Sequence, residues 1–268
     1  MIIQPTKSTS SSLALIVAVA AACWIGRCDA AVVTVTNPGF EDISGESPFN
    51  EFTFGPLNGW GLYDPGGITN GGAGGTYYIG TLTPNPPTNF TNGASEGQRV
   101  AIAFNFFGSG GQGEYGLQQT LTETLQANTS YSLQVDIGNI ASGTAQNGQF
   151  FNLDGFSGYR VDLLAGGVLL AQDNNSLFGA IAEGQFGTSV VNFNTGTSHA
   201  QLGETLQIRL VNLNQVDPSF PLADLEVDFD NVRLNASAVP EPSSIAVLGC
   251  LVCGWALRRR HRATSFDA

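Results

Sequence analysis

The stretch Tyr131-Ser-Leu-Gln-Val-Asp-Ile137 decides the fold class, because apolar and polar residues alternate through it without a break. A period of two places successive side chains on opposite faces, so the stretch predicts a half-buried β-strand. Further along the chain, the apolar runs 159–164 and 168–171 flank the turn Ala165-Gly-Gly167. Two such runs around a glycine turn predict a β-hairpin.

Short runs of this kind recur between Gly, Asn and Thr turns, and no long window has a helical period. About nine to eleven strands at this spacing predict an all-β fold, a single jelly-roll β-sandwich over residues 31–236. The segment 66–91 predicts a long loop or a pair of irregular strands. The last predicted strand has apolar residues at Leu225, Val227 and Phe229, with a shift of the pattern near Asp230-Asn231. The other predicted strands are 31–36, 98–106, 115–121, 189–193 and 205–213.

The N-terminal segment, residues 1–30, has the pattern of a signal peptide. Lys7 precedes an apolar run over 13–25, and Cys28-Asp-Ala30 provides the small residues that a signal peptidase requires, which predicts cleavage after Ala30. An uncleaved membrane anchor is the alternative. The shortness of the apolar run favours the signal peptide.

The C-terminal segment has three parts. Pro240 and Pro242 predict an extended linker over 237–242, and the uninterrupted apolar run 243–257 predicts a transmembrane helix. The basic residues that follow mark 258–268 as a cytoplasmic tail. A buried helix of the globular domain is the alternative, but such a helix should have a polar face. The residues that define this segment are Val239, Pro240, Glu241 and Pro242, then Arg258, Arg259, Arg260 and Arg262.

This order of Val239-Pro-Glu-Pro242, apolar run and arginines resembles the PEP-CTERM sorting signal of bacterial envelope proteins. The same motif is often labelled an ice-binding protein C-terminal domain. The resemblance implies processing by a membrane-embedded exosortase after the signal peptidase has acted. We therefore expect an exported protein of a Gram-negative-type bacterium, held transiently in the membrane and delivered to the cell surface or extracellular matrix.

The region between the two targeting segments has an unusual composition. All four cysteines lie in those segments, so no disulfide or thiolate metal site is expected between them. The region keeps four arginines, no lysine and twenty acidic residues, a net charge near −16. Such a surface repels nucleic acid, which we exclude as a partner, and suits the capture of cations such as calcium.

Three motifs of this region are similar to the jelly rolls of carbohydrate-binding modules and galactose-binding-like domains. They are Asn37-Pro-Gly-Phe-Glu41, the strand pair 116–121 and 128–135, and Asp228-Phe-Asp-Asn-Val-Arg-Leu234. In those domains the first and last strands meet, and a structural calcium often joins them. The resemblance implies Glu41 and Asp230 as calcium ligands, with Asp228 as a further candidate. The alternative is a solvated turn at Glu41 and a polar bulge at Asp230-Asn231.

Aromatic side chains predict a surface on which sugar rings could stack. Trp60 is equally suited to fill the core beside Phe40, and we favour the core for it. The candidates for stacking are Trp60, Tyr63, Tyr77 and Tyr78, together with Phe106 and Phe107.

Catalytic groups are scarce between the targeting segments. His199 is the one histidine there, and neither a phosphate-binding loop nor a Gly-x-Ser-x-Gly elbow occurs. We therefore expect a non-enzymatic protein of adhesion or exopolysaccharide association. One alternative is a stand-alone carbohydrate-binding module that binds extracellular polysaccharide. The other is a glycan-active hydrolase or lyase that uses paired carboxylates.

Overall fold

A computed structural model of the chain describes residues 31–239, apart from 86–87 and 108–112. This part is all-β and has no α-helix, only a short 3₁₀ turn at Asn70–Gly72. The predicted signal peptide, the sorting motif beyond Val239, the transmembrane helix at 243–257 and the basic tail lie outside the described residues. Within the described part, no helix is long and apolar enough to cross a membrane.

The strands, numbered in chain order, are β1 (Ala31–Val33), β2 (Ser47–Phe49), β3 (Phe52–Phe54), β4 (Gly61–Tyr63), β5 (Ala73–Gly74), β6 (Tyr77–Leu82), β7 (Val100–Asn105), β8 (Tyr115–Thr124), β9 (Thr129–Asn139), β10 (Gly143–Thr144), β11 (Phe150–Phe151), β12 (Tyr159–Ala165), β13 (Val168–Asn174), β14 (Gln185–Asn194), β15 (Thr205–Asn212) and β16 (Leu225–Ala238). The larger sheet has the order β14-β9-β16-β7-β6-β3-β2, with β1 on β16 and β5 on β6. The smaller sheet has the order β13-β12-β15-β8-β4, and β10 pairs with β11.

A continuous apolar core lies between the two sheets and makes the domain a β-sandwich. The apolar residues of the stretch quoted first all belong to this core, as its alternation predicts: Tyr131, Leu133, Val135 and Ile137 on β9. The smaller sheet contributes Val161 and Leu163 on β12 and Ile208 and Leu210 on β15. β1 pairs with β16, so the first and last strands meet. The finer prediction of a jelly roll stays a prediction.

Two local predictions also match the structure. Gly166 and Gly167 form the turn of the β12–β13 hairpin, with φ of 56° and 80°. Tight hairpin turns require positive φ at their central residues, which glycine adopts readily. On β16 the pattern shifts at Asn231, where φ is 52°. Before the shift Val227 and Phe229 belong to the inter-sheet core, and after it Val232 and Leu234 do.

The outer face of the larger sheet carries a second, smaller apolar cluster, which includes Ile102 and Phe104 on β7 and Leu82 on β6. Strand β16 therefore has buried residues on both of its faces from Leu225 to Asp230. A strand in the middle of a sheet, covered on both sides, normally carries apolar residues at every position. The acidic residues of β16 depart from this pattern. One of them, Glu226, lines a cavity beside the second cluster.

Candidate active site

Six aromatic side chains form a box on the outer face of the larger sheet. Neighbouring ring centroids in the box are between 4.7 and 6.2 Å apart. The rings enclose a cavity of about 210 Å³. We call this set the aromatic box, and its members are Phe52, Phe54, Tyr78, Phe104, Phe106 and Phe151.

Strand register brings these rings to one face. Tyr78 on β6 is paired with Phe104 on β7, so the two side chains point the same way. Phe54 on β3 is paired with Gly80, two residues beyond Tyr78 on the same face. Phe151 comes from the β10–β11 hairpin, whose loop residues also line the cavity. Because an extended chain repeats its orientation every two residues, two rings each come from the Phe-x-Phe pair of β3 and from the pair of Phe104 on β7 and Phe106 just after it.

Two carboxyl groups of β16 lie on the same face as the box. Glu226 is paired with Phe104 and Asp228 with Ile102. Glu226 lines the cavity and is 8% exposed, whereas Asp228 is fully buried. The Glu226 Oε1 atom and both oxygens of Asp228 are buried without a hydrogen-bond partner among the described residues. Buried polar atoms without partners are rare and costly, so this arrangement needs a functional explanation.

Burial controls the protonation of this pair. Loss of solvation raises the pKa of Glu226 from 4.5 to about 8. Burial also raises the pKa of Asp228 well above its usual value, and the nearby charge of Glu226 adds to the effect. Two carboxyls in one apolar site cannot both ionise readily. At neutral pH the pair therefore retains protons, and Glu226 faces the cavity as a potential proton donor.

A third carboxyl group, that of Glu51, lines the cavity at its opposite side. Glu51 lies in the turn between β2 and β3 and is 7% exposed. Its Oε1 atom accepts a hydrogen bond of 2.7 Å from the backbone N–H of Gln146, in the loop of the β10–β11 hairpin. Its Oε2 atom is buried and has no partner among the described residues.

The aromatic residues predicted to stack on sugars do not form one surface. Tyr78 lies in the aromatic box. Tyr77, on the other face of the same strand, packs in the core edge-to-face on Tyr115 at 5.3 Å. Tyr63 lies on the smaller sheet, where its hydroxyl donates to Glu114 at 2.7 Å.

Trp60 occupies the core, the alternative that the sequence favours. It is 3% exposed, and its indole N–H donates to the Asn37 carbonyl at 3.2 Å. Its ring contacts Phe40 with centroids 5.4 Å apart. Of the other two predicted rings, Phe106 belongs to the box, and Phe107 is half exposed beside it.

The residues predicted to bind calcium bond mainly to backbone groups. Glu41 accepts hydrogen bonds from the N–H groups of Gln98 and Arg99, at 2.6 and 2.7 Å. Asp230 accepts from Glu96 and Asn231, both at 2.7 Å. The described residues contain no group of three or more His, Cys, Asp or Glu side chains arranged to hold a metal. Calcium binding by Glu41, Asp228 and Asp230 therefore stays a prediction.

Comparison with known proteins assigns the family. The model of the HpiC1-like family, described as HpiC1 cyclase, matches residues 31–235. The chain belongs to the HpiC1-like family. No curated protein matches the chain.

Solved structures of cyclases agree with this assignment. An apo cyclase from Fischerella sp. is 37% identical, with a TM-score of 0.65, and the match covers 80% of this chain and 100% of that one. A Stig cyclase from Fischerella sp. TAU, in complex with (3Z)-3-(1-methyl-2-pyrrolidinylidene)-3H-indole, is 38% identical over 79% of this chain and 100% of its own, with a TM-score of 0.63. A cyclase from the same source, in complex with 4-(1H-indol-3-yl)butan-2-one, has the same identity and coverage and a TM-score of 0.64.

These matches correct the interpretation drawn from the motifs. Identification as a PEP-CTERM sorting-domain protein with a carbohydrate-binding jelly-roll body is wrong, because the body is that of the HpiC1-like family. The expectation of a non-enzymatic adhesion or polysaccharide-associated protein is also wrong, because the related structures are cyclases. The tail motif concerns only where a protein is sent in the cell, and it carries no information about the chemistry of the domain.

Sequence reasoning missed most of the site. Glu226, Glu51 and four of the six rings were not among the candidates, whereas Tyr78 and Phe106 were. One signal was available in Glu226, Asp228 and Asp230, which alternate with apolar residues on a strand buried on both faces. Nothing in the local sequence distinguishes such a strand from one with a solvated face.

Proposed function

We propose that this protein is a cyclase that closes a ring in an apolar, indole-bearing substrate inside the aromatic box, with Glu226 as the general acid. The observation that carries the proposal is the buried Glu226 carboxyl group, which has an unpartnered oxygen and lies against a cavity walled by aromatic rings. The Fischerella structures support the substrate class, because two of these structures contain indole compounds.

The chemistry follows from the environment of the acid. Glu226 transfers its proton to one carbon of a double bond in the substrate and leaves a carbocation on the other carbon of that bond. The π electrons of a second double bond attack the cationic carbon and close the ring, and the new cation loses a proton to the Glu226 carboxylate. The acid is then restored, and the product is an isomer of the substrate.

The box serves this reaction in two ways. Aromatic faces attract a cation by about 0.5 to 2 kcal/mol for each well-placed ring. Six rings also exclude water, which would otherwise capture the cation before the ring closes. Among the described residues, no arginine lines the cavity, so no fixed positive charge opposes the intermediate.

Glu226→Gln tests the proposal, because the amide keeps the shape of the side chain and cannot donate a proton of comparable acidity. The assay measures conversion of indoles that carry an unsaturated apolar chain into isomers of equal mass, separated by chromatography. Loss of a general acid should reduce turnover about 10²- to 10⁴-fold. Glu183→Gln, at an exposed acid outside the box, is the matched control. Unchanged turnover in Glu226→Gln would rule out the assigned acid.

Calcium belongs to the proposal as a structural ion. We propose Glu41 and Asp230 as its ligands, beside Glu96, whose Oε2 lies 2.2 Å from where a Cβ on Gly39 would stand. Carboxylate oxygens suit calcium. The fully buried Asp228 is left to the active site. A melting curve with and without chelator tests the ion, and an unchanged melting temperature would remove it.

We also keep two finer expectations as proposals, jelly-roll connectivity of the sandwich and export of the domain after cleavage at Ala30. The pairing of β1 with β16 supports the first. Mass spectrometry of the mature N-terminus in the native host tests the second, and an intact residue 1 would contradict it.

A further inference from the structure

The hairpin that covers the aromatic box is attached to the sandwich differently from the other walls of the cavity. Strands β10 and β11 pair only with each other and form a two-stranded sheet of their own. The other strands that contribute rings, β3, β6 and β7, are hydrogen-bonded members of the larger sheet. An isolated two-stranded hairpin has marginal stability in water, so the position of this one depends on what it contacts.

One face of the hairpin forms the roof of the cavity. Because side chains alternate along an extended chain, every second residue of the hairpin lines the cavity. These residues are Gly143, Ala145, Asn147, Gln149 and Phe151. The ring centroid of Phe151 lies 5.7 Å from that of Phe104 and 6.2 Å from that of Phe52. Movement of the hairpin away from the sheet would therefore open the cavity.

Both ends of the segment 141–152 are fixed by backbone hydrogen bonds. The Ala141 N–H donates to the Asn89 carbonyl at 3.0 Å, and the Asp224 N–H donates to the Asn152 carbonyl at 2.7 Å. The segment thus has two fixed ends, about which its middle can turn.

The middle of the segment is held by a single hydrogen bond. The backbone N–H of Gln146 donates to the Glu51 Oε1 atom at 2.7 Å. Among the described residues, this is the only hydrogen bond between residues 143–151 and the rest of the domain. The net contribution of one hydrogen bond changes an equilibrium constant roughly 2- to 12-fold. Such a contact favours one position of the hairpin without locking it.

The enclosed cavity is too small for the proposed substrate class. Its volume is about 210 Å³. Cavities that hold ligands of drug size measure roughly 300 to 1,000 Å³, and an indole that carries an unsaturated apolar chain is a ligand of that size. The cavity must therefore widen. The hairpin is the wall that can move, because displacing β3, β6 or β7 would break hydrogen bonds of the larger sheet.

We infer that the segment 141–152 is a lid that moves away from the box to admit the substrate, and that the Gln146–Glu51 hydrogen bond holds it closed. The inference rests on the proposed function, because it takes the box as the place of reaction, and it adds the route by which the substrate enters. Closure after entry brings Phe151 back over the substrate and excludes water from the cation.

Gln146→Pro tests the lid, because proline removes the donor N–H without changing Glu51 or the residues that line the cavity. The Gly148 N–H donates to the Ala145 carbonyl at 2.8 Å, so Gln146 is the second residue of a four-residue turn. Proline is favoured at that position. Gln146→Ala is the matched control, since it removes the side chain and keeps the N–H.

Relaxation-dispersion NMR of the ligand-free protein measures the population of the open state at the amides of 143–151. Loss of the hydrogen bond should raise that population roughly 2- to 12-fold in Gln146→Pro and leave it unchanged in Gln146→Ala. Stopped-flow binding of 4-(1H-indol-3-yl)butan-2-one then follows entry and exit. The association and dissociation rate constants should rise together in Gln146→Pro, because the lost hydrogen bond favours the closed lid in the free and the bound protein alike.

Two results would overturn the lid while the proposed cyclase stands. One is an open population in Gln146→Pro that equals the wild-type value, or no exchange at the amides of 143–151 in either protein. The other is a pair of binding rate constants that stay unchanged while the open population rises. If the wild type does not bind the indole probe, the proposed substrate class falls, and the relaxation data still decide whether the segment opens.

Thermal unfolding checks that each variant is folded. Should Gln146→Pro not fold, Glu51→Ala removes the acceptor of the same hydrogen bond instead. A raised open population in this variant supports the lid, and an unchanged population overturns it.

Discussion

Glu226→Gln should stabilise the protein at alkaline pH while it removes activity. Burial raises the pKa of Glu226 from 4.5 to about 8, so the folded state holds this proton more tightly than the unfolded chain does. The stability that goes with the proton is fully present below pH 4.5 and is lost as the pH rises through 8. Each tenfold change in proton affinity corresponds to 1.36 kcal/mol, so ionising Glu226 costs on the order of 4 to 5 kcal/mol of folding free energy.

The assay is urea unfolding of wild type and Glu226→Gln between pH 5 and pH 9. The free energies of unfolding of the two proteins should lie close together at pH 5. They should diverge as the pH rises, with the glutamine variant more stable by a few kcal/mol at pH 9. For a domain of this size such a difference corresponds to about 10 °C in melting temperature. Parallel curves over the whole range would refute the buried, proton-holding carboxyl on which the proposed mechanism depends.

Three further predictions follow from the same site. Turnover should fall as the pH rises through about 8, since the proposed acid loses its proton there; a flat pH–rate profile would contradict this. Phe104→Leu keeps the cavity apolar but removes a ring face, so turnover should fall roughly 2- to 30-fold, as a loss of about 0.5 to 2 kcal/mol predicts; unchanged turnover would show that the ring does not face the cation. Gly80→Ala should lower the melting temperature by several degrees, because a Cβ there would lie 1.8 Å from the Thr53 carbonyl oxygen and would displace β3 with its two rings. Gly196→Ala is the control, because a Cβ at Gly196 would have no atom within 4 Å. Equal melting temperatures of the two variants would contradict the close approach at Gly80.

Local sequence was sufficient to predict several strands and turns of the fold. The alternation of 131–137 predicts β9 and its inward face correctly, and the glycine pair at 166–167 predicts the β12–β13 hairpin. The pattern shift near Asn231 is also present. These features depend on side-chain period and turn geometry, which are properties of neighbouring residues. The segment 66–91 contains β5 and β6, in agreement with the alternative of irregular strands.

The site depends on contacts that local sequence does not encode. Phe52 and Phe151 meet with centroids 6.2 Å apart only because the β10–β11 hairpin folds over the outer face of the larger sheet. The same covering buries Glu226, which in an uncovered sheet would be an ordinary solvated acid. Its raised pKa is therefore a consequence of tertiary packing. For this reason the scarcity of histidine, lysine and cysteine was a poor guide to whether the domain is an enzyme.

Solvent deuterium incorporation tests the central claim most directly. An indole that the wild type converts is incubated with enzyme in D₂O, and the isomeric product is analysed by mass spectrometry and NMR. Since the Glu226 carboxyl proton exchanges with solvent, proton transfer from it should place one deuterium at the protonated carbon. A product without deuterium, formed at the full rate, would contradict acid catalysis by Glu226.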